Sequence, residues 1–196
     1  MNAMSPAPRT TEHPVDPMFT ERHSGRAFTG ADISKAELQI LLEAARWAPS
    51  GSNTQPTRLV WGLRGDGTFA RIAETLVPGN RVWAEKAAAL VVVASITQVE
   101  RDGTEVALPS HAFDAGAAWM SLALQAHLRG WMAHAMGGFD KVKAAEDLAL
   151  RGNYQLHVVV AIGKEGEAAL LPDGLRAREV LTPRVPLAQI ARNEVS

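Results

Sequence analysis

The chain has 196 residues, 46% hydrophobic and 21% charged, which suits one packed globular domain better than two. A net charge of -1 and a pI near 6.6 leave no basic field to hold a phosphate backbone, so nucleic acid is not an expected partner. The absence of cysteine excludes disulfides, zinc–thiolate sites, iron–sulfur clusters and cysteine nucleophiles, and it fits a reducing cytoplasm.

The first seventeen residues, MNAMSPAPRTTEHPVDP, are polar and proline-rich. They lack a basic-then-apolar signal pattern, so residues 1–15 are expected to form a flexible arm. The apolar stretches 87–96 and 115–124 are too short to span a bilayer, and no membrane association is expected. Ser34–Ala48 carries a helical stripe of Leu38, Leu41, Leu42 and Ala45. Ser34 and Glu37 open it as a capping box, and Pro49 closes it by disfavouring helical geometry at Ala48.

The segment 49–56, PSGSNTQP, is made of turn-forming and amide residues. A strand is expected over 58–63 and a short amphipathic helix over 65–77, broken at Pro78-Gly79-Asn80. Residues 87–96 (AAALVVVASI) predict a strand buried on both faces. Residues 98–109 form a polar excursion. Residues 113–129 predict a long helix, apolar on most sides, whose small residues at 115–118 permit close approach of another helix. A short strand over 131–136, a helix over 141–150 and a buried strand over 155–162 follow, and the tail after Gly163 is irregular and rich in arginine and proline. Strands alternating with helices, with both sheet faces needing cover, predict an α+β or α/β sandwich.

Three clusters could carry chemistry. Arg22-His23-Ser24-Gly25-Arg26 would, if extended, project Arg22, Ser24 and Arg26 to one side, a set suited to an anion. In the 49–56 loop, Asn53 and Gln55 offer the mixed donors and acceptors that read a heterocycle edge. Gly137-Gly138-Phe139 allows a backbone N–H to approach a ligand closely. Taken alone, the first two clusters read more simply as a solvated basic turn and an ordinary loop, and a tight turn is a common reading of the third. The histidines at 111, 127, 134 and 157 have no metal-ligand spacing and suit structural or surface roles; His134 alone lies near the glycine pair. No glycine-rich dinucleotide fingerprint is present.

Taken together and in order, these clusters resemble the nitroreductase family. The resemblance extends to LLEAARWAPS at 41–50 followed by Asn53 and Gln55-Pro56, to Asn80 with Trp83, to Asp114-Ala115-Gly116-Ala117-Ala118, and to Arg184-Val185-Pro186-Leu187. Thr57, where tryptophan is common, and Lys164, where an aromatic or apolar residue is common, depart from it. The resemblance implies an α+β three-layer sandwich, a central and mostly antiparallel sheet flanked by helices, in a domain-swapped homodimer. Residues 16–196 would form a single domain binding FMN.

By the same resemblance, Arg22 and Ser24 hold the FMN phosphate, with His23 beside them and Arg184 as a late helper; Arg176 and Arg178 are the other tail arginines. Arg26 lies near the N1/O2 edge and is the candidate catalytic residue. Pro49, Ser50, Asn53 and Gln55 reach the flavin from the other subunit. Asn80 contacts its pyrimidine or ribityl part, and the backbone at Met136, Gly137 and Gly138 approaches N5. The expected activity is transfer of hydride from NAD(P)H, bound transiently, to a small-molecule acceptor such as a nitroaromatic or quinone. A flavin-binding storage or sensing protein is one alternative. A dehalogenase-like or flavin-cleaving relative is another.

Overall fold

The computed structural model of the protein describes residues 9–193. Its helices are α1 (Met18–Glu21), α2 (Lys35–Arg46), α3 (Gly67–Thr75), α4 (Pro78–Ala84), α5 (His111–Leu128), α6 (Lys141–Asp147) and α7 (Asp173–Arg176). Its strands are β1 (Thr57–Leu63), β2 (Ala89–Ile96), β3 (Gln98–Arg101), β4 (Thr104–Ala107), β5 (Met132–Met136) and β6 (Tyr154–Gly163). Strands β1, β2, β6 and β5, in that order, form one antiparallel sheet.

The central strand β2 explains the layering. Leu90, Val92 and Ala94 face one cluster, packed with Phe69 and Ile72 of α3 and Trp83 of α4. Val91 and Val93 face the other, packed with Leu38 and Leu41 of α2 and Leu122 of α5. Alternation along a strand sends successive side chains to opposite faces, so a strand apolar at every position needs cover on both. The result is the expected α+β sandwich of three layers. No helix among the described residues is long and apolar enough to cross a membrane.

Three local expectations need correction. The capping box of α2 is half formed: Ser34 Oγ accepts the Glu37 N–H at 3.1 Å, but the Glu37 carboxylate turns to Arg129 at 2.9 and 2.8 Å and to Trp131 Nε1 at 3.1 Å. A forked cation and an indole N–H outcompete one backbone N–H. Pro78 does not merely break a helix; it occupies the first turn of α4, where its missing N–H costs nothing. The polar excursion is a hairpin, β3–β4, turning at Asp102 (φ 50°) and Gly103 (φ 76°), as an Asp-Gly two-residue turn requires. Residues 1–8 of the expected arm lie outside the described residues. Residues 9 and 12 are held: Arg9 donates to the carbonyls of Thr20 and Arg22 at 2.8 Å, and Glu12 accepts the Leu187 N–H at 2.8 Å.

Candidate cofactor site

The segment 22–29 runs beside β5 and pairs beyond the end of β6, with Phe28 bridging Glu165 and the Gly166 N–H donating to Ala27. The extended geometry brings Arg22 and Ser24 to one side as expected, Arg22 Nη1 donating to Ser24 Oγ at 3.3 Å. Both line a cavity of about 430 Å³ together with Arg9, Arg26, Arg178 and Arg184. His23 also borders this cavity, but its ring points to Glu165 at 3.0 Å. Among the tail arginines, Arg176 turns away to the carbonyl of Leu171 and to Asp173, while Arg178 and Arg184 remain at the cavity.

The electrostatics of this cavity are unbalanced. Arg9, Arg22 and Arg184 have no carboxylate within salt-bridge distance among the described residues, and the Nε atoms of Arg9 and Arg22 are buried without a hydrogen-bond partner there. Burial lowers the Arg22 pKa, and the positive charges of Arg9 and Arg184 lower it further. Arg9 is lowered by burial and then by Arg184. Both directions say that the guanidiniums disfavour one another and lack a counter-charge. A phosphate, with about -1.5 to -2 charge and three acceptor oxygens, fits that deficit. Sequence reasoning missed Arg9, which reaches the cavity from a proline-flanked arm with no periodic signal.

Arg26 differs from its neighbours. Its Nη1 lies 3.3 Å from Glu179 Oε2, a tail carboxylate that the sequence did not single out. The cavity side then continues through β5. His134 Nδ1 lies 2.9 Å from the Gly25 carbonyl, which requires the Nδ1–H tautomer, and its ring lies 4.7 Å from that of Trp83. Burial lowers the His134 pKa, the Gly25 bond opposes this, and Arg26 lowers it further.

At the end of β5 the side chain of Met136 is buried in the core, so only its backbone is available to a ligand. Gly138 carbonyl accepts from Asn80 Nδ2 at 3.0 Å and from the Val77 N–H at 3.2 Å. A Cβ at Gly138 would lie 2.8 Å from Asn80 Nδ2, whereas one at Gly137 would meet nothing within 4 Å. Asn80, Gly137 and Gly138 are therefore brought together, with Gly137 facing open space.

The 49–56 loop lies elsewhere. It lines a second cavity of about 510 Å³ with Pro49, Ser50, Gln55 and Asp114 on its wall. Ser50 Oγ accepts the Gln55 N–H at 2.9 Å, and Ser52, Asn53 and Gln55 all have positive φ, at 50°, 54° and 49°. Left-handed backbone at three non-glycine positions is a cost that surrounding structure has to offset. Asn53 is exposed. The loop leads into β1, at one edge of the sheet, whereas the Arg22–Arg26 segment flanks β5, at the other. Three inter-strand spacings of about 4.8 Å put these edges roughly 14 Å apart. Within one chain the two halves of the expected site do not meet.

The profile described as Nitroreductase family matches residues 19–76 and 63–164, most of the chain. The chain belongs to the nitroreductase family. Among relatives, a protein of Mycolicibacterium smegmatis described as an uncharacterized 15.4 kDa protein is 33% identical over 144 residues, 68% of this chain and 93% of its own. A Streptomyces coelicolor protein provisionally named NADH dehydrogenase/NAD(P)H nitroreductase is 31% identical over 94 residues, but that match spans only 48% of this chain and 46% of its own length. Among solved structures, one described as an oxidoreductase containing FMN is 42% identical, covers 97% of both chains and superposes with a TM-score of 0.92. A Desulfovibrio desulfuricans protein solved in complex with FMN is 25% identical, covers 95% of this chain and 99% of its own, and has a TM-score of 0.72.

Proposed function

We propose that this nitroreductase-family protein is an FMN-dependent oxidoreductase of the cytoplasm, working as a domain-swapped homodimer. It takes hydride from NAD(P)H and delivers it, in ping-pong order, to an electron-poor acceptor such as a nitroaromatic or quinone. The observation that carries the reading is the group of guanidiniums with no carboxylate partner among the described residues, Arg9, Arg22, Arg178 and Arg184, around one cavity with Ser24. The FMN of the 42% and 25% identical structures supports it.

When bound, FMN supplies the hydride-accepting and hydride-donating chemistry; the protein binds and orients it. Arg22, Ser24 and Arg184 hold the phosphate, with Arg9 behind them and His23 at the rim. The carbonyl of Gly138 fixes the Asn80 amide, and the open space at Gly137 would leave room for a ring edge. Arg26 would supply positive charge beside the ring of a bound flavin, where it would favour the reduced form. Pro49, Ser50, Asn53 and Gln55 come from the partner chain. Phe113 and Trp47, 82% and 74% exposed, and the open side of Gly116 give α2 and α5 an uncovered apolar face suited to a second copy.

The test is direct. Purified protein should be yellow, release FMN and not FAD on denaturation, and oxidise NAD(P)H when a quinone is added. A protein that takes up no FMN overturns the reading. One that binds FMN yet turns over neither nicotinamide with a panel of acceptors is a flavin-binding protein and not an enzyme.

A further inference from the structure

Arg26 and Arg22 belong to one short motif, yet their surroundings differ. Arg22 faces other cations. Arg26 is met by Glu179, whose carboxylate accepts the Arg26 N–H at 2.5 Å and the Ala27 N–H at 3.2 Å and pairs with the Arg26 guanidinium at 3.3 Å. The Glu179 side chain is only 15% exposed in a tail whose flanking residues are exposed. Gly25 makes room for it: a Cβ there would lie 2.8 Å from Glu179 Oε1 and 2.5 Å from Met132 Sδ. The pair is thus built from both sides, by a missing side chain in the motif and a buried carboxylate in the tail.

We propose that Glu179 is a positioning residue for Arg26, holding its guanidinium in place and offsetting its charge, so that the C-terminal tail sets the reduction potential of the bound flavin. The proposal rests on the reading of Arg26 given above. A carboxylate touching the phosphate subsite would weaken phosphate binding. Placed on Arg26 alone, it makes that end of the cavity close to neutral while the Arg9, Arg22 and Arg184 end stays cationic. A near-neutral end suits an uncharged ring and a cationic end suits a phosphate. The ion pair also limits how strongly Arg26 favours the negative charge of the reduced state. Glu179 thereby restrains the potential that Arg26 would otherwise raise.

The test uses full-length protein loaded with FMN and reads two quantities besides turnover, the FMN dissociation constant and the reduction potential of the bound flavin. Glu179→Gln keeps the size and the acceptor oxygen for the two N–H groups and removes the charge. It should bind oxidised FMN within about twofold of the parent, as the phosphate end is untouched. Its preference for reduced over oxidised flavin should rise about tenfold, a positive shift of about 30 mV for a two-electron couple. Glu179→Asp, which keeps the charge on a shorter arm, should restore most of the parent potential. In an Arg26→Ala background the Glu179→Gln shift should shrink, since the effect acts through Arg26. Normal FMN binding with an unchanged potential in Glu179→Gln overturns the proposal and leaves Glu179 as a tail clasp. A wild-type protein that takes up no FMN overturns the functional reading and this proposal with it.

Discussion

The carboxylate of Asp114 accepts the backbone N–H of Gly51 at 3.2 Å and the hydroxyl of Ser110 at 3.2 Å, tying the first turn of α5 to the 49–56 loop. Asp114 is 4% exposed and sits where the positive end of the helix dipole favours an anion. This bond is one of the contacts that hold three non-glycine residues at positive φ next to the proposed partner-facing donors. Asp114→Ala should cost about 1–3 kcal/mol by stranding its two donors. Thermal unfolding should shift down by about 2–4 °C per kcal/mol for a chain of this size. Asp114→Asn, which keeps an acceptor oxygen, should lose less. Equal melting temperatures for Asp114→Ala and the parent would show that the loop stands without this bond.

Arg22 gives a prediction of opposite sign with and without cofactor. Its guanidinium is half-buried beside Arg9 and Arg184 and is disfavoured by both burial and their charge. In protein stripped of FMN, Arg22→Ala removes one member of a mutually repelling set and should leave the melting temperature unchanged or raise it. In the loaded protein the same change removes a charge-assisted bond to phosphate and should weaken FMN binding by about 1.5–3 kcal/mol. Melting curves of both forms and an FMN titration read the two effects. A large loss of stability in the stripped protein would mean that Arg22 is a structural residue.

Acid sensitivity should come from two histidines. Burial lowers the His134 pKa against the Gly25 bond, with Arg26 adding to the shift. Burial lowers that of His157, with His111 and Lys141 adding to it. His157 Nε2 and His111 Nδ1 also share the buried hydroxyl of Ser95, at 2.7 and 2.8 Å. A base with a depressed folded-state pKa binds fewer protons folded than unfolded. Its stabilisation is therefore complete above the unfolded value of 6.5 and is lost as pH falls below it.

Glu43, held at about 2 by the hydrogen bond from Arg46, loses its contribution as pH falls from the ordinary value of 4.5 toward 2, so its window lies below that of the histidines. Urea unfolding between neutral pH and pH 5 should show falling stability. The slope should flatten in His134→Asn with His157→Gln, which keep a donor near Nδ1 and Nε2 and cannot titrate. An unchanged slope in that double variant would place the acid sensitivity elsewhere.

Helix α2, strand β2 and helix α5 were legible because their burial is written in the periodicity of adjacent residues: Leu38, Leu41 and Ala45 on one helical stripe, and an unbroken Ala-Val run for a strand covered on both faces. The Asp102-Gly103 turn carries a two-residue hairpin signal, but the polar character of its flanks concealed it, and the segment read only as a polar excursion. Arg22, Ser24, Asn80 and Gly138 were named through the resemblance of their local motifs to the family, since each motif is short and contiguous. Glu179 could not be named in this way, because its contact reaches a motif 153 residues away, and Arg9 could not, because no periodic signal marks the proline-flanked segment that carries it. A carboxylate in an exposed tail carries no local sign that it will be buried against a backbone turn. Glu37 illustrates the same limit, since its partner Arg129 is 92 residues distant.

The last prediction decides whether one site is built from two chains. In a single chain the Arg22 segment flanks β5 and the Asn53 loop leads into β1, opposite edges roughly 14 Å apart by strand spacing. A shared site requires Arg22 of one chain and Asn53 of its partner, and a symmetric pair then carries two such sites. Two differently tagged chains can be purified as a mixed dimer. If one chain carries Arg22→Ala and the other Asn53→Ala, one of the two sites retains both residues and the dimer should bind FMN at one site with parental affinity. If one chain carries both substitutions and the other neither, each site lacks one residue and neither should bind normally. A site contained within one chain reverses both outcomes, because the first dimer would then have two damaged sites and the second an intact one. FMN stoichiometry and affinity on the two mixed dimers separate these arrangements without any assay of turnover. A monomer with full FMN affinity would likewise exclude the shared site.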